Sequence, residues 1–117
     1  MLLILTLISC DNSPKLSIDT KNIILGNIKL GEDKKILINI TNKGGLPLKI
    51  DNVSSSCKCL IIDFPQSPIG IDETKSISLL YKADELGSHR ESISIVSNDP
   101  DRHKVISIDA YVVKWRI

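Results

Sequence analysis

The side chains of this chain that could do chemistry are its three cysteines, of which Cys57 and Cys59 are separated by one residue. Two thiols this close can form a disulfide, exchange electrons with another thiol, or bind a soft metal such as Cu⁺. On an extended strand both point to one face, with Cβ atoms about 6.5–7 Å apart. A disulfide needs Cβ atoms about 3.8 Å apart. A bond between them therefore requires a kinked backbone and would be strained.

Three interpretations of the pair stay open at this level. The cysteines are structural, as buried small residues or a structural disulfide, or they are a redox pair, or they bind a metal. A closed zinc site needs about four ligands, and nothing in the sequence brings His89 or His103 near the pair. We expect both histidines to be solvated in surface turns. The sequence predicts no cofactor.

The third cysteine, Cys10, ends an uncharged apolar run and is followed at once by polar residues. Leu7-Ile8-Ser9-Cys10 is similar to a bacterial lipobox, in which a small residue precedes a cysteine that takes a lipid. We therefore expect residues 1–9 to be a signal peptide, although no Lys or Arg precedes the apolar run. Residues 10–15 would be a lipidated tether, since two or more acyl chains hold a protein firmly to a membrane. The alternative is that residues 2–7 form a first core strand.

Composition excludes several classes of function. A chain of 117 residues is one ordinary domain, and its net charge of +1 with interspersed signs gives no footprint for nucleic acid. Four aromatic side chains are too few for stacking platforms. No paired carboxylates, phosphate loop or nucleophile elbow is present, so we expect no enzyme and no small-molecule substrate. Asp99 and Asp101 fit a turn better than a calcium loop, and Trp115 is expected to pack on the fold.

From Leu16 onward the apolar residues alternate with a period of two, which is typical of half-buried strands. Turn residues separate the runs at intervals of about ten residues, which is typical of a sandwich. We therefore predict an all-β, immunoglobulin-like antiparallel β-sandwich of seven to eight strands over residues 16–117. Clear strands are predicted at residues 36–41, 76–81, 92–95 and 106–112, and weaker ones at 16–19, 23–29, 46–53 and 57–63. Residues 42–45 should tolerate positive φ, and residues 84–87 and 98–101 should close the last two hairpins.

Several motifs then match one family in order. They are Ile24-Leu25-Gly26-Asn27-Ile28 with Gly31-Glu32, Asn42-Lys43-Gly44-Gly45-Leu46-Pro47-Leu48-Lys49-Ile50, the segment 53–59, and Val96-Ser97-Asn98-Asp99-Pro100. Together they resemble the bacterial Ig-like family DUF1573, of unknown function, over about residues 23–111. The resemblance implies an exported domain of the kind found in Bacteroidetes lipoproteins, with a fold similar to Hydin-type domains. Lys58 stands where the family usually has Gly, which argues against positive φ there.

These observations lead to two expected functions. The first is a non-catalytic interaction or scaffold domain of the bacterial cell envelope, anchored through Cys10 with the domain facing the periplasm or exterior and binding a protein partner. The second is an envelope thiol module that uses Cys57 and Cys59 for redox or copper chemistry.

Overall fold

The computed structural model describes residues 12–115, which form eight strands and no helix. The strands are β1 (Leu16–Ile18), β2 (Asn22–Lys29), β3 (Asp33–Asn42), β4 (Ile50–Ser55), β5 (Leu60–Asp63), β6 (Thr74–Lys82), β7 (Gly87–Ser97) and β8 (His103–Val113). Within residues 12–115 there is accordingly no helix that could span a membrane.

Two four-stranded sheets face each other, with strand orders β1-β3-β6-β5 and β2-β8-β7-β4. This confirms the predicted all-β, Ig-like sandwich. One pairing departs from an all-antiparallel arrangement, because β2 lies parallel to β8 at the edge of the second sheet. These two strands are far apart in the sequence, so no hairpin turn imposes an antiparallel direction on them.

The core lies between the sheets and is built mainly from isoleucine. Ile38 and Ile77 from the first sheet, and Ile93 and Ile106 from the second, are fully buried. Burial of each such side chain stabilises the fold by about 1.5–3 kcal/mol. The period-two alternation therefore reports the inner face of each long strand correctly.

One predicted turn has a different role. Residues 84–87 do not close a hairpin, since β6 pairs with β3 and β5 whereas β7 pairs with β4 and β8. The segment crosses from one sheet to the other. The predicted turn at residues 98–101 does close the β7–β8 hairpin.

Two of the weaker strands begin later than predicted. β4 begins only at Ile50, because Leu48 forms an isolated bridge to Ile69 instead of entering the sheet. β5 begins only at Leu60, because residues 57–59 form a turn. This turn supplies the kink that a disulfide requires.

Position 44 requires glycine for lack of space and not for its backbone conformation. Among the described residues, positive φ occurs at Gly26, Gly31, Gly87 and Asp72, so residues 42–45 do not adopt the positive φ that they could tolerate. A Cβ on Gly44 would instead collide with the carbonyl oxygen of Ser13 and lie 2.6 Å from the Lys15 nitrogen. Glycine is required here because another stretch of backbone passes directly over it.

The residues before β1 are bound to the domain. The amide of Lys43 donates to the Lys15 carbonyl at 2.9 Å, and the buried carboxylate of Asp99 accepts from the Leu16 amide at 2.7 Å. Of the predicted tether, residues 13–15 thus contact the sandwich. Cys10, the predicted lipid site, lies outside the described residues, as does the predicted signal peptide.

Candidate functional site

Cys57 and Cys59 form a disulfide in the turn that joins β4 of one sheet to β5 of the other. Their Cα atoms are 5.3 Å apart, and both side chains are half-buried. The pair is therefore neither in the core nor fully exposed. Lys58 between them is exposed and is not among the residues with positive φ, as its substitution for glycine implied.

Backbone hydrogen bonds hold this turn in place. The Cys57 amide donates to Ser55 Oγ at 3.0 Å, and the Cys59 amide donates to Cys57 Sγ at 3.0 Å. The Lys82 amide donates to the Cys59 carbonyl at 2.8 Å, which fastens the turn to β6. An N–H directed at a sulfur stabilises a thiolate there more than a neutral thiol.

Glu91 of β7 faces the disulfide. Its ligand oxygen and the two cysteine sulfurs all lie within 4.8 Å of one another. The Ser56 hydroxyl donates to Glu91 Oε2 at 2.7 Å and accepts from the Ser92 amide at 3.0 Å. Glu91 is half-buried on the inward side of its strand, where Ile93 and Ile95 are fully buried. A carboxylate thus occupies the inward position of β7 next to the buried isoleucines.

These groups line an open cavity of about 230 Å³ at one end of the sandwich. The lining residues are Cys57, Lys58, Cys59, Tyr81, Asp84, Glu85, His89 and Glu91. Burial raises the pKa of Tyr81 above 10.0, and the negative charges of Glu91, Asp84 and Glu85 raise it further, in that order. Three carboxylates and one ammonium, that of Lys58, thus line the cavity, so acidic groups outnumber basic ones there.

His89 was expected in a solvated turn, and this was wrong. It lies on β7, half-buried, and lines the cavity. Its Nε2 is 2.7 Å from the Glu85 carbonyl oxygen. Since a carbonyl only accepts, Nε2 must carry a proton, which leaves Nδ1 as the acceptor of the neutral ring. His89 nevertheless lies outside the close set of ligand atoms formed by the two cysteines and Glu91.

The other residues considered from the sequence lie away from this cavity. His103 is exposed at the start of β8, and Asp99 and Asp101 lie in the β7–β8 turn, where the Asp101 amide donates to Asp99 Oδ1 at 2.8 Å. Trp115 was expected to pack on the sheet, but it is 70% exposed, with the Lys114 ammonium 5.4 Å from its ring centre. It follows the end of β8, so no facing strand covers it.

Glu91, Tyr81 and Ser56 were not identified as site residues from the sequence. A signal was available for Glu91, because counting back by two from the apolar Ile95 and Ile93 places it on the inward face. An acid at an inward position needs a partner. What the sequence could not show is that β4 pairs with β7 in the register that places Ser55 opposite Ile93.

The arrangement can carry out two kinds of chemistry. A half-buried disulfide at an open cavity is accessible to an attacking thiolate, as thiol–disulfide exchange requires. Once reduced, two thiolates beside a carboxylate form a ligand set for a cation.

The family model "Protein of unknown function (DUF1573)" matches residues 16–112. The chain belongs to the DUF1573 family. This confirms the resemblance found in the sequence motifs, and the match spans all eight strands. No curated protein sequence matches this DUF1573 domain.

Solved structures show the same fold at low sequence identity. A protein of unknown function from Porphyromonas gingivalis has a TM-score of 0.77 and 20% identity, with 92% of this chain and 51% of that chain covered. This chain thus spans about half the length of that protein. The human CEP192 PapD-like domain 7 has a TM-score of 0.75 and 11% identity, with 89% of each chain covered. The YadV chaperone has a TM-score of 0.62 and 17% identity, with 83% of this chain and 51% of that chain covered. These likenesses establish a PapD-like, Ig-like fold for this DUF1573 domain.

Proposed function

We propose that this DUF1573 domain is a lipid-anchored, non-catalytic interaction module of the bacterial cell envelope, which binds an extended segment of a partner protein along the free edge of β5. The observation that carries the proposal is the state of the four sheet edges. An unpaired edge offers a row of N–H and C=O groups that another strand can pair with.

Three of the four edges are poor templates for strand addition. β1 is only three residues long. The register of β2 shifts between Ile24 and Gly26, and that of β4 shifts between Ile50 and Asn52. Such bulges are a common protection of edges, since they interrupt the row of hydrogen-bonding groups.

β5 has four residues and no such register shift. It pairs with β6 in an unbroken register, from Leu60 opposite Tyr81 to Asp63 opposite Ser78, and among the described residues it has a sheet neighbour on one side only. Its first three residues are aliphatic, without Pro or Lys. Ile61 on its outer side is 55% exposed. A partner strand would therefore find both free backbone groups and an apolar side chain.

The direction of the free backbone groups follows from one hydrogen bond. Because the Lys82 amide donates to the Cys59 carbonyl, the alternation along an antiparallel strand turns the backbone groups of Ile61 toward β6. Those of Leu60 and Ile62 then point to the free edge. A partner strand would accept a hydrogen bond from the Ile62 amide.

The support for a membrane anchor comes from the amino-acid sequence. Leu7-Ile8-Ser9-Cys10 has the aliphatic, small and cysteine positions of a lipobox. The domain begins a few residues later, with β1 at Leu16. Such a short connection would hold the domain close to the envelope membrane, where a partner in the same compartment is concentrated.

The experiment is affinity capture of the tagged chain from gently solubilised envelope of the bacterium that makes it. The unmodified chain should fractionate with membranes and capture an envelope protein, whereas Cys10→Ser should leave the membrane fraction. Ile62→Pro should abolish capture, because proline removes the outward N–H without removing a bond of the sheet.

Ile62→Ala is the matched control, since it loses the same side chain but keeps the N–H, and it should still capture the partner. Equal capture by the Pro and Ala variants would exclude pairing through the β5 edge. A Cys10→Ser chain that stays in the membrane fraction would exclude the lipid anchor.

A second function, thiol–disulfide exchange in the envelope, is favoured by the half-buried position of the disulfide at an open cavity. Replacing Cys57 and Cys59 together by Ser separates the two functions. An interaction module keeps its partner after this change, whereas a thiol module loses exchange with a dithiol reductant.

A further inference from the structure

Cys57, Cys59 and Glu91 are close together and are residue types that bind metal ions. In this structure the two sulfurs are joined in a disulfide. Zinc is bound by cysteine sulfur at about 2.3 Å and by carboxylate oxygen at about 2.0–2.2 Å. Tetrahedral geometry then places the ligand atoms about 3.5–3.8 Å from one another. The two sulfurs and the Glu91 oxygen already lie within 4.8 Å of one another.

We propose that reduction of the Cys57–Cys59 disulfide creates a Zn²⁺ site whose ligands are the two thiolates and the carboxylate of Glu91. The fourth position faces the open cavity and is available to water. This inference goes beyond partner binding at β5 and does not depend on it.

The polar groups behind the ligands fit such a site. Carboxylates that bind metals are in turn hydrogen-bonded by neighbouring groups that fix their orientation. The Ser56 hydroxyl does this for Glu91 at 2.7 Å, and Ser56 is itself held by the Ser92 amide at 3.0 Å. The Cys59 amide points at Cys57 Sγ, which favours the thiolate that zinc requires.

The electrostatics of the cavity favour a cation. Glu91, Asp84 and Glu85 all raise the pKa of Tyr81 in addition to its burial, so their negative charges act at the same place. A carboxylate ligand favours Zn²⁺ over Cu⁺, since softer cations prefer sulfur alone. The geometry thus points to zinc rather than to copper, which was one of the alternatives left open for the two thiols alone.

Formation of this site requires a two-electron reduction before the metal binds. Reduction takes two electrons and two protons from a dithiol, which leaves as a disulfide, while the Cys57–Cys59 bond breaks to give two thiols. Binding of Zn²⁺ then releases the two thiol protons to water. The oxidised chain keeps only Glu91 of the three ligands and should not hold the metal.

The test uses the 117-residue chain carrying Cys10→Ser, in which only Cys57 and Cys59 remain as cysteines. The chain is reduced with a phosphine under anaerobic conditions and titrated with Zn²⁺ against a chromophoric chelator. We expect one Zn²⁺ per reduced chain and none per oxidised chain. Co²⁺ should give a thiolate-to-cobalt charge-transfer band that disappears when both cysteines are replaced by Ser.

Two further variants test the carboxylate. Glu91→Gln should lower the Zn²⁺ affinity at least about ten-fold, and Ser56→Ala about ten-fold through the orientation of Glu91. Glu85→Gln is the matched control, because it removes a carboxylate of the same cavity that is not in the close ligand set, and it should bind Zn²⁺ nearly as well as the parent. Circular dichroism verifies that each variant is folded.

Either of two results would overturn the proposal. One is a reduced parent chain that takes up no stoichiometric Zn²⁺. The other is a folded Glu91→Gln chain that binds Zn²⁺ as tightly as the parent, which would remove Glu91 from the ligand set.

Discussion

At the scale of single residues, the feature that needs explanation is the carboxylate of Glu91. Positions two and four residues further along the same face of β7 hold fully buried isoleucines. A half-buried charge needs hydrogen bonds to offset its loss of hydration. The Ser56 hydroxyl supplies one at 2.7 Å. A charged group thus lies beside the core on the inward face of β7, and the Ser56 hydroxyl stabilises it there.

The ionisation of Tyr81 reports the charge of Glu91 directly. In a Tyr111→Phe background, Tyr81 is the only tyrosine of the chain. We expect Glu91→Gln to lower the pKa of Tyr81 while leaving it above 10.0, because burial is the largest cause of the shift and Glu91 the next. Spectrophotometric titration of tyrosinate absorbance measures this pKa.

The sign of the effect on stability follows from the raised pKa. The unfolded chain ionises its tyrosine first, so the stability present below about pH 10 falls as the pH rises through the folded pKa. Glu85→Gln should produce a smaller decrease in the pKa than Glu91→Gln, since Glu85 is the weakest of the three charges acting on Tyr81. Lys58 and His89, which share the cavity, are unchanged in both variants. An unaltered pKa in Glu91→Gln would mean that its carboxylate does not face Tyr81 in solution.

Only half of the candidate site could be predicted from the sequence. Cys57 and Cys59 stand out because they are close together and chemically distinctive. Glu91 and Tyr81 lie more than twenty residues from them in the sequence. Whether they line the same cavity depends on which ends of β6 and β7 lie beside the turn after β4. That is set by strand register, which is a property of the folded pair and not of either segment.

At the scale of elements, alternation predicted the long strands well and the short ones poorly. β3, β7 and β8 have ten or eleven residues, and buried aliphatic residues alternate along part of each, which identifies the strand although not its ends. β5 has four residues, three of them aliphatic, and such a short run does not reveal where the strand begins. The disulfide turn, rather than the apolar pattern, defines the start of β5.

Removal of the disulfide should therefore loosen β5 more than the rest of the domain. A ring closed between Cys57 and Cys59, two residues apart in sequence, restricts the unfolded chain only slightly, which corresponds to about 1–2 kcal/mol. We expect the variant with both cysteines replaced by Ser to lose about this much in the free energy of unfolding, measured with urea.

Amide hydrogen exchange locates the effect within the structure. Amide protection of β5 and of Lys82, which donates to Cys59, should fall in the Ser variant. The middle of β8 serves as the internal control, and its amide protection should not change. This strand lies in the sheet that does not contain β5, and it is separated from β4 by β7. A uniform loss across both sheets would show that the disulfide supports the whole domain and not this edge.

At the scale of the whole molecule, the two sheets share one core and should unfold as a unit. Ile77 belongs to the first sheet and Ile106 to the second, and both are fully buried in the same cluster. Replacing either by Ala should lower the free energy of unfolding by about 2–5 kcal/mol. Leu37→Ala, at a position 57% exposed on the outer face of β3, is the matched control and should have a far smaller effect.

Cooperativity is the decisive part of this prediction. Amide signals from β3 and from β8 should show one shared urea midpoint in the parent chain, in Ile77→Ala and in Ile106→Ala, because neither sheet can bury its isoleucines without the other. If Ile106→Ala shifted the midpoint of β8 and left that of β3 unchanged, the sheets would be independent. The cavity at the end of the sandwich, whose residues come from both sheets, would then lack a fixed geometry.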